Sequence, residues 1–286
     1  MKVKLTSFWE NDLSLYNSFR KNYNAGEPTW KDMKLVHEND YDVLVILTAP
    51  HPGTEYIDPG KSITLLTEPC DSVLVPHGIV PATPMNLPLP FFQDFMEKDR
   101  TMLMQTGLTK TELLSSITSE KRQLIGQVAR RQFISFLDKA IDEGLDLWGK
   151  PYEQDYFGTL RSYRGPLKNK FDGLWLHAYH FACENSFLKE YYTEKIADPI
   201  LAECLCFYDG CLNLEEYVDE RAFIRVNVFD PVASIEKIVT AIQMNEHSAR
   251  AKYIIAQKKR LLTHLNPMNV IWMAVTGKDV MKECKL

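Results

Sequence analysis

Residues 41–47 read YDVLVIL, an almost unbroken aliphatic run. A strand with one wet face alternates apolar and polar residues. A run without alternation needs cover on both faces, which a parallel sheet flanked by helices supplies. Comparable short runs recur at 61–66, 72–75, 113–118, 145–148, 179–184, 204–208 and 222–226, and residues 2–9 set Val3 and Leu5 against lysines. Helical spacing fills the gaps. Asn11 or Asp12 is placed to cap a helix carrying Leu13, Leu15, Tyr16 and Phe19. Residues 127–143 repeat Val128, Phe133, Phe136, Leu137, Ala140 and Ile141 before a terminating Gly144. Residues 193–203 bring Ile196, Ile200 and Leu201 to one side, and Pro231 suits the first position of a helix reaching about 244. Residues 93–103 and the C-terminal segment around Pro267 also read as helical. The alternation predicts an α/β chain with mostly parallel sheets.

A chain of 286 residues has room for about two domains. Residues 76–92 (PHGIVPATPMNLPLPFF) are rich in proline but interleaved with apolar residues throughout, so they read as an ordered, extended crossover. The expected division is residues 1–110 and residues 111–286, the second carrying the C-terminal helices. Two successive α/β series predict two Rossmann-like domains facing a cleft. In such sheets ligands sit beyond the carboxyl ends of the strands.

Composition narrows the function. A net charge of −5 disfavours a phosphate-tracking surface, so no nucleic-acid partner is expected. The six cysteines form no CxxC pair or familiar zinc spacing and read as buried thiols in a reducing compartment. No stretch has the length of a membrane span, and the N-terminus lacks the apolar core of a signal peptide; a cytoplasmic protein is expected. GxGxxG after a strand, GxxxxGK[ST], HExxH and GxSxG are all missing.

Residues 178–211 are the richest in chemistry. A strand delivers Cys183-Glu184-Asn185-Ser186 at its carboxyl end, and Thr193-Glu194-Lys195 opens a helix. The first turn of a helix attracts a phosphate through unpaired N–H groups and the dipole, and Lys195 adds a full charge there. Glu194 can accept two hydroxyls, as a ribose diol offers, and Asn185 and Ser186 can bond the same ligand. The plainer reading also stands: Thr193 as N-cap, Glu194 as a first-turn acid, Lys195 solvated.

The same stretch resembles the donor-site motif of the α1,3-fucosyltransferases, glycosyltransferase family 10. Phe181-x-x-Glu184-Asn185-Ser186, then Tyr191-x-Thr193-Glu194-Lys195, then Tyr208-x-Gly210 stand at that family's spacing. The chain departs from it at Cys206, where proline is usual, and at Asp209, where an aromatic is common. Upstream, Ser119-Glu120-Lys121 and Gly126-Gln127-x-x-Arg130-x-x-Phe133 are similar to another family element, with Gln127 in place of a common histidine. Tyr163-x-Gly165 and Lys168-Asn169-Lys170 resemble a further family loop, though a turn and a charge run explain them equally well. Ser7-Phe8-Trp9 and Thr67-Glu68-Pro69 match more loosely.

The resemblance implies a GT-B glycosyltransferase that inverts the sugar's anomeric centre. GDP-fucose would be the donor and a glycan the acceptor. Donor binding would fall to Arg130, Glu184, Asn185, Ser186, Tyr191, Thr193, Glu194 and Lys195, with Arg131 competing with Arg130 for the diphosphate. Glu68 would be the general base, and His51 or His77 could touch the acceptor. No Asp or His cluster has the spacing of a DxD-type metal site, so metal-independent transfer without a cofactor is expected. A bacterial or viral-type enzyme fits the missing anchor. A transferase with another nucleotide sugar, or a glycan-binding scaffold of the same fold, is the alternative.

Overall fold

Most of the aliphatic runs become strands of two separate sheets, the first mostly parallel and the second wholly so. In the computed structural model, which describes residues 1–55, 57–91, 96–151 and 156–286, β1 (Lys2–Ser7) leads into α1 (Asp12–Tyr23). Asn11 caps α1 by accepting from the Ser14 N–H, and Leu15, Phe19 and Tyr23 are the residues it buries; Leu13 faces out. A short hairpin, β2 (Thr29–Trp30) and β3 (Met33–Val36), follows, then β4 (Val43–Leu47) and β5 (Ser62–Leu65). The sheet order is β2-β3-β1-β4-β5, antiparallel only between β2 and β3. The expected strand at 72–75 does not form. Those residues make a turn closed by Val75 N–H to the Ser72 carbonyl, and Val73 is 99% exposed. The proline-rich segment after it is extended and buried without a break from Met85 to Phe91, with Asn86 enclosed among Met85, Leu87, Leu89 and Phe91. It lies along the end of β5 through Ala82 N–H to Thr64 O and Leu87 N–H to Leu66 O.

The second series runs α2 (Glu97–Met104), β6 (Glu112–Ser119), α3 (Ile125–Ala140), β7 (Leu145–Lys150), β8 (Tyr163–Gly165), β9 (His177–Cys183), α4 (Glu194–Leu201), β10 (Leu205–Asp209), β11 (Phe223–Arg225) and α5 (Pro231–Gln243). Then come α6 (Glu246–Leu262), α7 (Pro267–Val275) and α8 (Val280–Cys284). The sheet order is β11-β10-β9-β6-β7-β8, parallel throughout. Helix α3 lays Ala129, Phe133, Ile134 and Leu137 inward, with Phe133 4.7 Å from the Phe181 ring of β9. Val128 and Phe136, expected on that face, point to solvent. At the edge of the sheet, the Lys237 ammonium donates to the Arg225 carbonyl (3.0 Å) and the Arg250 guanidinium to that of Phe223 (3.4 Å). Charged side chains thus cover backbone acceptors of β11 that no neighbouring strand takes.

The two compact units are residues 1–93 with 260–286, and residues 94–259. Residues 94–110, expected in the first domain, group here with the second unit, and α7 and α8, expected in the second domain, group with the first. Two polar anchors explain this. Asp99 of α2, wholly buried, accepts from Asn169 Nδ2 (2.7 Å) and Trp175 Nε1 (2.8 Å), which ties α2 to the second unit. Asn266 donates to the Tyr23 carbonyl (3.0 Å) and Trp30 donates to Asn269 (3.2 Å), which ties α7 to the first. The expected helix start at 93–95 and the crossover's end at 92 lie outside the described residues. All six cysteines are free, and only Cys70 is exposed. Among the described residues no helix is long and apolar enough to cross a membrane.

Phe133 fills the gap between α3 and β9, so Phe133→Ala leaves a cavity. The expected loss is about 3–5 kcal/mol in chemical denaturation of the second unit.

Candidate functional site

The carboxyl ends of β6 and β9 and the start of α4 surround a cavity of about 240 Å³ in the second unit. Its walls include Thr118, Ser119, Lys121, Gln127, Arg130, Lys170, His180, Asn185, Glu194 and Lys195. Parallel strands end together, so side chains distant in sequence converge here.

Arg130 is held by its surroundings before any ligand arrives. Its Nε donates to Thr118 Oγ1 (2.9 Å), and its Nη1 donates to the Cys183 carbonyl (2.6 Å) and Asn185 Oδ1 (3.3 Å). The side chain is 5% exposed, lines the cavity, and keeps Nη2 without a hydrogen-bond partner among the described residues. Its competitor Arg131 turns elsewhere, donating to the Glu120 carbonyl and stacking 4.4 Å from the Tyr156 ring. It lines a different hollow.

Lys195 and Lys170 stand on either side of Glu194. The Lys195 ammonium is 3.2 Å from Glu194 Oε1 and 3.5 Å from Glu184 Oε2; Lys170 is 2.7 Å from Asp198 and 3.9 Å from Glu194. Burial pulls both lysines down, but the facing carboxylates outweigh it and hold them above the ordinary lysine range. Burial works the other way on Glu194, yet Lys195 and Lys170 win and depress it to about 2. At neutral pH the cavity therefore presents one carboxylate that only accepts, flanked by full positive charges. His180, bonded to Ser115 (2.8 Å), is driven well down by burial and by Lys170, so it is neutral.

Glu184, Ser186, Tyr191 and Thr193, expected to touch a ligand, are buried and are not among the residues that line this cavity. Glu184 is 0% exposed. Its Oε1 accepts from the Thr193 N–H (2.9 Å) and Tyr208 O–H (3.2 Å), and its Oε2 from Thr193 Oγ1 (2.8 Å). Burial raises its pKa more than Lys195 lowers it. Thr193 also caps α4, taking the Lys195 N–H at 3.3 Å. Part of the helix terminus expected to meet a phosphate is thereby satisfied internally, and the charged side chains of the first turn face the cavity.

Two glycines make room for Glu184. A Cβ on Gly126 would fall 2.0 Å from the Glu184 carbonyl oxygen, and one on Gly210 would fall 2.4 Å from Glu184 Cγ. Gly126 also donates to the Asn185 carbonyl (3.0 Å), which presses the start of α3 against the Glu184-Asn185-Ser186 turn. The two departures from the motif are accommodated locally: Cys206 is buried in β10, and Asp209 accepts from the Val228 N–H (2.8 Å) beyond β11.

The sequence profile of glycosyltransferase family 10 (fucosyltransferase), C-terminal region, matches residues 108–268, more than half of the chain. The chain belongs to glycosyltransferase family 10. No curated protein matches it in sequence. A crystal structure of an α1,3-fucosyltransferase is 14% identical over 92% of this chain and 90% of its own, with a TM-score of 0.50. A crystal structure described as α1,3-fucosyltransferase with GDP-fucose is 13% identical over the same shares, with a TM-score of 0.46. The first of these likenesses is one of fold, and the fold is GT-B. As a family member, the chain is a glycosyltransferase.

Sequence reasoning noted Lys170 only as part of a loop that resembles the family's, gave it no role, and passed over Thr118 in this glycosyltransferase. Lys170 sat in a run of charges that reads equally as solvent-facing; in the fold it bonds Asp198 at 2.7 Å and lines the cavity. Thr118 carried no signal of its own. Glu68 follows β5 in the first unit, half-buried, with its carbonyl accepting from Asn86 Nδ2 (2.7 Å). His51 is in the loop after β4, where its Nδ1 accepts from the Gly53 N–H, and His77 is exposed. Among the described residues no group of three or more His, Cys, Asp or Glu could hold a metal ion.

Two tests follow from this geometry. Gly126→Ala drives a methyl into backbone that cannot yield, so a loss of at least about 1–3 kcal/mol is expected in denaturation, together with loss of ligand binding. Because the folded pKa of Glu194 lies below its unfolded value, its stabilising contribution is complete above the unfolded value of about 4.3 and vanishes as pH falls through about 2. The melting-temperature gap between the wild type and Glu194→Gln should be constant above about pH 5 and close below it.

Proposed function

We propose that this chain is an inverting fucosyltransferase that takes GDP-fucose as donor and a glycan hydroxyl as acceptor. The observation that carries the reading is Arg130: a guanidinium pinned on Nε and Nη1, with no partner for Nη2 among the described residues, in the lining of a cavity shared with Lys195 and Lys170. Such a group meets a diphosphate without reorganising, and a charge-assisted bond to phosphate is about twice as strong as a neutral one. Lys195 and Lys170 add the charge that a departing nucleoside diphosphate needs as it leaves, a role metals fill elsewhere. Glu194, held ionised, accepts from the two ribose hydroxyls. Membership of a fucosyltransferase family supports fucose as the sugar.

Glu68 serves as the base in this scheme. It withdraws the proton from the acceptor hydroxyl, and the oxygen attacks the anomeric carbon opposite the diphosphate. A single displacement turns a β-linked donor into an α-linked product. Glu184, Ser186, Tyr191 and Thr193 shape the donor cavity without lining it.

GDP release from GDP-fucose, followed with and without glycan acceptors, tests this. Transfer to an acceptor hydroxyl is the expected result. Arg130→Lys, which loses the fork, should weaken GDP about 10- to 100-fold. Glu68→Gln should lower kcat about 10²- to 10⁴-fold with GDP binding intact. Binding and transfer from a different nucleotide sugar would overturn the donor assignment. Failure to bind any nucleoside diphosphate would leave a glycan-binding scaffold.

A further inference from the structure

Residue 48, at the end of β4, has a conformation that a threonine rarely adopts. Its φ is +64°, and the Ala49 N–H donates back to the Leu47 carbonyl at 2.8 Å. A bond from residue i+2 to residue i around a left-handed centre marks the strained form of the γ-turn. A β-branched residue at positive φ is an outlier that surrounding structure must enforce. Strain of this kind clusters where a chain has a task beyond folding.

The enforcing contacts lead to Glu68. Thr48 is 0% exposed, and its N–H donates to the Leu65 carbonyl of β5 at 2.9 Å. The γ-turn swings its hydroxyl onto the next segment, where Oγ1 accepts from the Thr67 N–H (2.9 Å) and shares a proton with Thr67 Oγ1 (2.8 Å). Glu68 is the next residue. From the other side comes Asn86, 4% exposed, whose Nδ2 donates to the Glu68 carbonyl at 2.7 Å. The Leu87 N–H donates to the Leu66 carbonyl beside it. Backbone beyond a strand end normally relaxes into water. Here residues 66–68 are held by side chains of two segments that regular pairing does not require.

We infer that Thr48 and Asn86 are positioning residues for Glu68: the turn at Thr48 and the amide of Asn86 clamp the backbone of residues 67 and 68 so that the carboxylate is presented in one orientation. The inference rests on Glu68 acting as the base. The clamp acts on transfer to the acceptor and leaves donor binding alone, because the donor cavity is built wholly from the second unit. It also accounts for the ordering of the proline-rich segment, whose Asn86 is the second jaw.

Thr48→Gly accepts the positive φ without strain and deletes the hydroxyl; Thr48→Ser keeps the hydroxyl; Asn86→Ala removes the second jaw. Each would be measured for transfer kcat, for hydrolysis of GDP-fucose without acceptor, for GDP binding and for thermal melting, beside Glu68→Gln. Misplacing a reacting group by about 1 Å costs on the order of 100-fold. Thr48→Gly and Asn86→Ala should therefore lose about 10- to 100-fold in transfer, lose less in hydrolysis, and bind GDP as the wild type does. Thr48→Ser should restore transfer. Wild-type transfer in Thr48→Gly and Asn86→Ala, with Glu68→Gln inactive, overturns the clamp and leaves Glu68 as base. Equal losses in transfer, hydrolysis and GDP binding reveal a general folding defect and also overturn it. Wild-type transfer in Glu68→Gln removes the base assignment and the clamp with it.

Discussion

The cavity of the second unit is organised around a carboxylate that does not line it. Glu184 is sealed at the end of β9, where Thr193, Tyr208 and Lys195 all converge on its two oxygens. A buried carboxylate is costly unless every lone pair is used, so the Glu184 site fixes the start of α4 and the end of β10 in one arrangement. Gly126 and Gly210 are then obliged to lack side chains, because Glu184 and its backbone occupy that space. With those elements fixed, Lys195, Glu194 and Asn185 face the cavity and Arg130 is gripped from β6 and β9.

Charge in the cavity is arranged by alternation. Lys170, Glu194 and Lys195 form a row in which each group holds its neighbour ionised against the pull of burial. Asp198 and Glu184 anchor the two ends from behind. The row presents positive charge to the cavity while its carboxylate neighbours compensate it. A family member can thus keep a cavity lined by cations in a chain whose net charge is negative.

Much of the fold was legible because parallel strands covered on both faces leave an unmistakable aliphatic signature. The runs at 41–47 and 204–208 announced β4 and β10 that way, and the less apolar run at 113–118 announced β6. Hairpin strands β2 and β3 did not, since each is short and carries lysine or tryptophan beside its apolar residues. Residues 72–75 misled because a brief apolar pair in a turn looks like a strand until Val73 is seen in solvent. The partition into units was hidden in Asp99 and Asn266, polar residues whose importance comes from being buried against distant partners. In the site, Arg130, Asn185, Glu194 and Lys195 were readable from motif and chemistry together. That Glu184 and Thr193 are buried outside the cavity's lining depends on side-chain directions that spacing does not encode.

The treatment of β11 bears on how this molecule behaves in company. A short strand at the border of a parallel sheet is an open invitation to another chain's backbone. Here Lys237 and Arg250 already occupy the Arg225 and Phe223 oxygens to which an incoming strand would bind. An intruder would have to strip two cations from their resting places before forming its first rung, so the sheet is chemically finished at six strands and has little tendency to nucleate fibrous growth from that side.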